Sequence, residues 1–286
     1  MSFALATVEV GGKPVPVMER DGRFFRLPKD LMALLAEGAA LEKLTPGEEI
    51  KPTRVLTPLQ YPGKVLCAGA NYYDHMAEMG FPCVKKETQR LFFFFKPPRN
   101  AVVGPGATVV MPRGTVKYDW EIELAAVIGK TARYVTAEQA LDHVAGYTVA
   151  IDMSARDFNQ APDQFYKFDW VAGKATDTAC PMGPWIVPAS AIPDPQNVAL
   201  KLAVNGQIKQ DSNTSRMIYS VAEQIARASE IMTLDPGDVV LTGTPAARAD
   251  ELCLGECPAR ALMEWPRWPL ASLASAAASA CPRARS

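Results

Sequence analysis

Tyr118-Asp119-Trp120-Glu121-Ile122-Glu123-Leu124 reads as an extended strand in which acidic residues at 121 and 123 alternate with apolar residues at 120, 122 and 124. On a pleated strand, residues i and i+2 share one face, roughly 6.5 Å apart. Glu121 and Glu123 therefore project together, while Trp120, Ile122 and Leu124 face the other way. Further along, a second apolar run over 144–151 ends in Asp152-Met153-Ser154-Ala155-Arg156-Asp157, which supplies a third carboxylate, Asp152. Three carboxylates gathered at strand ends, with Lys and Arg nearby, make a hard oxygen donor set suited to Mg²⁺ or Mn²⁺. An E-x-E pattern on an amphipathic strand equally describes a solvated face, so context has to decide between the two.

With 286 residues, 48% of them hydrophobic, the chain can bury a sizeable core in one large domain plus a small appendage. A net charge of −1 gives no electrostatic footprint for nucleic acid or an anionic membrane, which leaves small molecules as the expected partners. The N-terminus has no basic segment followed by a continuous apolar one, and no run of eighteen apolar residues occurs, so a cytoplasmic protein is expected. The six cysteines form no CxxC pair and have no His at metal spacing, which argues for free thiols rather than zinc.

Short strands are predicted over 4–10, 15–18 and 24–27 with a helical stretch near 31–35, a small N-terminal α+β piece (1–58). Pro52, Pro58 and Pro62 mark a linker after it, because proline interrupts helices and strands. Further strands are predicted over 64–69, 91–95, 108–111, 121–128, 146–151, 185–187, 200–204 and 239–242, with helices over 136–144 and 220–230. Asp74 is expected to cap a short helix stopped by Gly80, which makes His75 and Glu78 neighbours on one face. The run Phe92 to Phe95 reads as a strand buried on both faces. Strands outnumber helices and few βαβ alternations occur, so the pattern predicts a mainly β fold with some α and mixed sheets.

Taken in order, several stretches resemble the fumarylacetoacetate hydrolase family over 64–245. They are Lys64-Val-Leu-Cys-Ala-Gly-Ala-Asn-Tyr with Asp74-His75, Phe95-Lys96-Pro97, Trp120-Glu-Ile-Glu-Leu124, Ile151-Asp-Met-Ser-Ala-Arg-Asp157, Gly173-Lys174, Met182-Gly-Pro-Trp185, Val204-Asn-Gly206 and Thr242-Gly-Thr-Pro245. The resemblance implies a mixed β-sandwich roll spanning 59–245, a homodimer, and a divalent metal, Mg²⁺ or Mn²⁺, held by Glu121, Glu123 and Asp152. It places Lys174 beside that metal, where an ammonium stabilises developing oxyanion charge. It makes His75 and Glu78 a dyad in which Glu78 orients the imidazole and His75 moves a proton or activates water. Arg156, Asn159 and Thr244 fall at its substrate-binding positions. An Arg156 that instead holds Asp157 or Asp177 is the alternative, and Asn159 stands where the family often has Gln.

After Pro245 the family's pattern stops. Residues 246–286 are rich in Ala, Ser, Pro and Arg and lack the period-two alternation of strands, so a shifted reading frame near residue 246 and the loss of the final strands are expected. The function the resemblance implies is metal-dependent hydrolysis of a C–C bond in a 1,3-diketo acid of the acylpyruvate type, as in aromatic catabolism. Two alternatives accompany it: an isomerase of hydroxymuconate-type dienoates that keeps the same site, and a weakly active binding protein.

Overall fold

The computed structural model describes residues 3–247 together with the strands Ala259–Glu264 and Ala276–Ala280. Its centre is the strand Ile122–Ile128, apolar at every position but Glu123 and buried throughout. It pairs antiparallel with Val144–Ile151, placing Ile122 opposite Ile151 and Glu123 opposite Ala150. On its other side Val239–Leu241 pairs antiparallel, and that strand runs parallel to Val65–Gly69. Val187–Pro188 and Phe92–Phe95 form the two edges of this six-stranded mixed sheet.

Both faces of the sheet are covered, which explains its continuous apolar strands. Ile122, Leu124, Ala126 and Ile128 pack with Leu200, Leu202 and Val204 of a second, five-stranded sheet and with Val221, Ile225 and Ala228 of the helix Val221–Ile231. Ala125 and Val127 face the opposite way, toward Leu31, Leu34 and Leu35 of the helix Leu31–Ala36. Each Leu, Ile or Val among them removed from water contributes about 1.5–3 kcal/mol. The helix Val221–Ile231 starts at a reciprocal cap, in which Ser220 Oγ accepts from Glu223 N while the Glu223 carboxylate accepts from Ser220 N.

Four expectations change. The 52–62 segment is not a free linker: Arg54–Val55 pairs with Ala4–Val10, Leu59 is fully buried, and Thr7 Oγ1 donates to Pro58 O at 2.7 Å. Proline is compatible with such extended edge positions, so its presence did not mean a loose tether. Phe92–Phe95 is an edge strand, not one buried on both faces; Phe95 is 49% exposed. Phe92 lies over Gly69, where an added Cβ would sit 2.1 Å from the ring. The 136–144 helix is a single turn, Ala137–Ala140, followed by the 3₁₀ turn Leu141–His143. Finally, the segment beyond Pro245 does contain strands. Ala259–Glu264 pairs antiparallel with Ala199–Val204, and Ala276–Ala280 lies between it and Thr108–Val109. Alanine has low β propensity, so composition hid strands that an open ladder on Ala199–Val204 can template. The remaining tail residues lie outside those described.

Candidate active site

Glu121 stands just before the central strand and Asp152 just after its partner, and Asp152 N donates to Glu121 O at 2.8 Å. That register brings Glu121, Glu123 and Asp152 together: one carboxylate oxygen from each lies within 4.8 Å of the others, and all three residues are buried. Glu123 Oε2 accepts from Gly243 N at 2.5 Å. Gly243 holds φ at +94°, and a Cβ there would come within 2.7 Å of Asn71 Cβ, so this approach requires glycine. Asn71 in turn donates to Thr242 O and Tyr219 O, which fixes the turn.

Three cations surround the carboxylates. Lys174 Nζ lies 2.5 Å from Glu121 Oε2, 2.7 Å from Asp152 Oδ2 and 2.7 Å from Ser154 Oγ. Lys96, fully buried, approaches Asp152 Oδ1 to 2.6 Å as an ion pair and donates to Met153 O and Lys174 O. Arg156 reaches Asp119 Oδ2 through Nε and Nη2, and Glu121 Oε1 through Nη2 at 2.6 Å. Burial disfavours the Glu121 carboxylate, but Lys174 and Arg156 outweigh it and hold that carboxyl below the usual range. For Glu123, burial comes first, and Asp152 and Glu121 add like charge, so its carboxyl is pushed well above the usual range. Burial lowers the affinity of Lys174 for its proton, yet Asp152 and Glu121 override this and raise it above the ordinary value.

The helix Tyr73–Glu78 carries the dyad: His75 Nδ1 and Glu78 Oε2 are 2.8 Å apart, and the imidazole is buried. The helix follows Asn71, which packs on Gly243 next to Glu123, so the dyad lies on the segment that adjoins the triad. Tyr72, not Asp74, is the cap residue; Asp74 sits in the first turn, where Oδ1 accepts from His75 N and from Ala246 N. Gly80, at φ +91°, follows the helix end as expected. Glu78 Oε1 accepts from Ala247 N at 3.1 Å, so the backbone at 246–247 holds the dyad from behind.

The structure places the other expected residues less uniformly. Arg156 binds neither Asp157, which accepts from Thr115 and Val116, nor Asp177, which accepts from Asn100; its carboxylate partners are Asp119 and Glu121. Asn159 lies against Gly173, next to Lys174, and its buried Oδ1 has no hydrogen-bond partner among the described residues. Thr244 Oγ1 accepts from Gln210 Nε2 at 2.8 Å. Gln210 also accepts from Ile122 N, the peptide between the two glutamates, so it ties Thr244 to the triad. The sequence reading assigned no role to Lys96, Asp119, Gln210 or Gly243. Lys96 and Gly243 did lie in the motifs Phe95-Lys96-Pro97 and Thr242-Gly-Thr-Pro245 that carry the resemblance.

Residues 64–267 match the model of a family described as fumarylacetoacetate (FAA) hydrolase, C-terminal. The chain belongs to the fumarylacetoacetate hydrolase family. It is 38% identical over 227 residues to oxaloacetate tautomerase FAHD2A, mitochondrial, of Bos taurus, covering 77% of this chain and 70% of that one. Among solved structures of the family, the fumarylacetoacetate hydrolase from psychrophilic Exiguobacterium antarcticum superposes with a TM-score of 0.80 at 28% identity, covering 99% of this chain and 100% of that one. The fumarylpyruvate hydrolase from Pseudomonas aeruginosa in complex with Mn²⁺ and pyruvate gives a TM-score of 0.61 at 37% identity, covering 74% of this chain and 87% of that one. Within the family the fold is thus the expected mainly β, mixed-sheet one. Among the described residues no helix is long and apolar enough to cross a membrane.

Proposed function

We propose that this family member is a divalent-metal-dependent tautomerase of a small dicarboxylic 2-oxo acid such as oxaloacetate. The observation that carries the reading is a His–Glu dyad beside a buried cluster of three carboxylates. The cluster fits the ion the family implies: three oxygen donors within 4.8 Å suit a hard cation, and the like-charge pressure on Glu123 is what such a cation would relieve. When bound, Mg²⁺ or Mn²⁺ supplies Lewis-acid polarisation and a template for the oxo and carboxylate oxygens of the substrate.

The chain's own groups supply the rest. Glu78, accepting from the Nδ1–H of His75, leaves Nε2 as the basic nitrogen, positioned to take a proton from carbon 3 of the keto form or return it to the enol. Lys174 offers its ammonium to the oxygen on which enolate charge develops. Arg156 holds Glu121 in place, and the unpartnered Oδ1 of Asn159 is available to a substrate hydroxyl.

A second reading, C–C hydrolysis of an acylpyruvate, is supported by the likeness to fumarylpyruvate hydrolase. There the same nitrogen of His75 would take a proton from water as its oxygen attacks the distal carbonyl, after which the C–C bond breaks and the pyruvate enolate leaves. The two readings separate by products. With oxaloacetate, Mn²⁺ and enzyme, decay of the enol absorbance at unchanged mass supports the tautomerase. Metal-dependent release of pyruvate from an acylpyruvate, without acceleration of oxaloacetate tautomerisation, supports the hydrolase.

A further inference from the structure

We infer that Lys96 is the positioning residue of the candidate metal site, fixing the carboxylate of Asp152 and the main chain that presents Lys174. Lys96 continues the edge strand Phe92–Phe95: its N–H donates to Val65 O at 3.0 Å, so the ladder extends one residue further. Side chains two apart on a strand share a face. Lys96 therefore enters the protein on the face of Phe94, and both are buried. An ammonium on an apolar face is unfavourable unless it is paired and hydrogen-bonded.

Its partners are specific. Nζ donates to Met153 O at 2.9 Å, the peptide directly after Asp152, and to Lys174 O at 2.6 Å, while pairing with Asp152 Oδ1 at 2.6 Å. Lys174 Nζ holds the other oxygen, Oδ2. Lys174 thus hydrogen-bonds one oxygen of Asp152 while the Lys96 ammonium sits as an ion pair against the other, which holds the carboxylate between two cations, and Lys96 also anchors the chain from which Lys174 projects. One group sets two functional side chains that lie far apart in sequence.

Positioning and plain charge compensation give effects of opposite sign. An ammonium 2.6 Å from a ligand oxygen repels an incoming divalent cation. If Lys96 only balanced charge, its removal would tighten Mn²⁺ binding. If it positions Asp152, removal weakens binding, by about the 10–100-fold found for groups that orient metal ligands.

The test uses Lys96→Met, similar in length but without donors, and Lys96→Gln, which keeps two N–H donors and serves as the second variant should the first fail to fold. Free Mn²⁺ is titrated by electron paramagnetic resonance, and thermal melting in EDTA reports folding. At least tenfold weaker Mn²⁺ binding in a folded variant supports the assignment. Unchanged or tighter binding overturns it, as does failure of both variants to fold, which would make Lys96 a structural residue. The inference rests on the metal reading of the triad. Wild-type protein that takes up no Mn²⁺ would overturn that reading, whereas normal binding by wild type and variant alike overturns only the role of Lys96.

Discussion

Replacing Lys174 by Met removes the ammonium that bridges Glu121 and Asp152, at 2.5 and 2.7 Å, in a site closed to solvent. Breaking a buried pair from one side costs about 3–5 kcal/mol, because the partner charge stays buried without its counter-ion. Here Arg156 remains 2.6 Å from Glu121 Oε1 and Lys96 remains 2.6 Å from Asp152 Oδ1, which places the loss at the lower end, about 3 kcal/mol. For domains of this size 1 kcal/mol shifts the midpoint by about 2–4 °C, so melting in EDTA is expected to fall by about 6–12 °C. Saturating Mn²⁺ should recover much of that loss, since a ligand that binds only the folded state stabilises it. Turnover should stay low even with metal, reduced about 10²–10³-fold, because the oxyanion has lost its donor. Differential scanning calorimetry with EDTA and with Mn²⁺, beside an enol-decay assay, measures all three. A melting point in EDTA within about 2 °C of wild type would refute the reasoning, since the ammonium would then contribute almost nothing to the buried pair.

Three further outcomes are expected. His75→Gln should lower kcat by about 10²–10⁴-fold while Mn²⁺ binding, measured by calorimetry, stays as in wild type, because the imidazole moves a proton and holds no metal. Gly243→Ala forces a Cβ to 2.7 Å from Asn71 at φ +94°; urea unfolding should show a loss of about 1–3 kcal/mol, and Mn²⁺ titration weaker binding, as the N–H facing Glu123 shifts. The third concerns pH. Glu123 holds its proton more tightly folded than unfolded, so its contribution to apoprotein stability is present below the unfolded value and is lost as pH rises through the raised folded value. Metal uptake displaces that proton, so Mn²⁺ affinity should rise about tenfold per pH unit across this window, and a flat profile would contradict it. Glu121 acts in the opposite, acidic window: its carboxyl is held low, so its stabilisation is lost as pH falls through the folded value.

Much of the site could be read from the sequence because its parts are local. Glu121 and Glu123 flank Ile122 at the start of the central strand, Asp152 follows the end of its partner strand, and His75 and Glu78 are one helical turn apart. The helix Val221–Ile231 announced itself through Ser220 and Glu223. What remained hidden depends on contacts between distant segments. Nothing near Lys96 shows that its ammonium meets Asp152, and nothing near Arg156 shows that Asp119 and Glu121, not Asp157 or Asp177, accept its fork. Whether Phe92–Phe95 lies at the centre or the edge of a sheet depends on strand order, which four phenylalanines do not encode. The Ala-rich strands after residue 258 pair because a ladder is open to them, and intrinsic propensity gives no hint of it.

The most direct test of the central claim is the decay of oxaloacetate enol absorbance with Mg²⁺ or Mn²⁺ and with EDTA, compared with the same metal in buffer and followed by mass analysis of the product. Metal-dependent acceleration at unchanged mass is expected, abolished by EDTA and by His75→Gln. A rate equal to that of metal in buffer, or acceleration that survives both EDTA and His75→Gln, would contradict it.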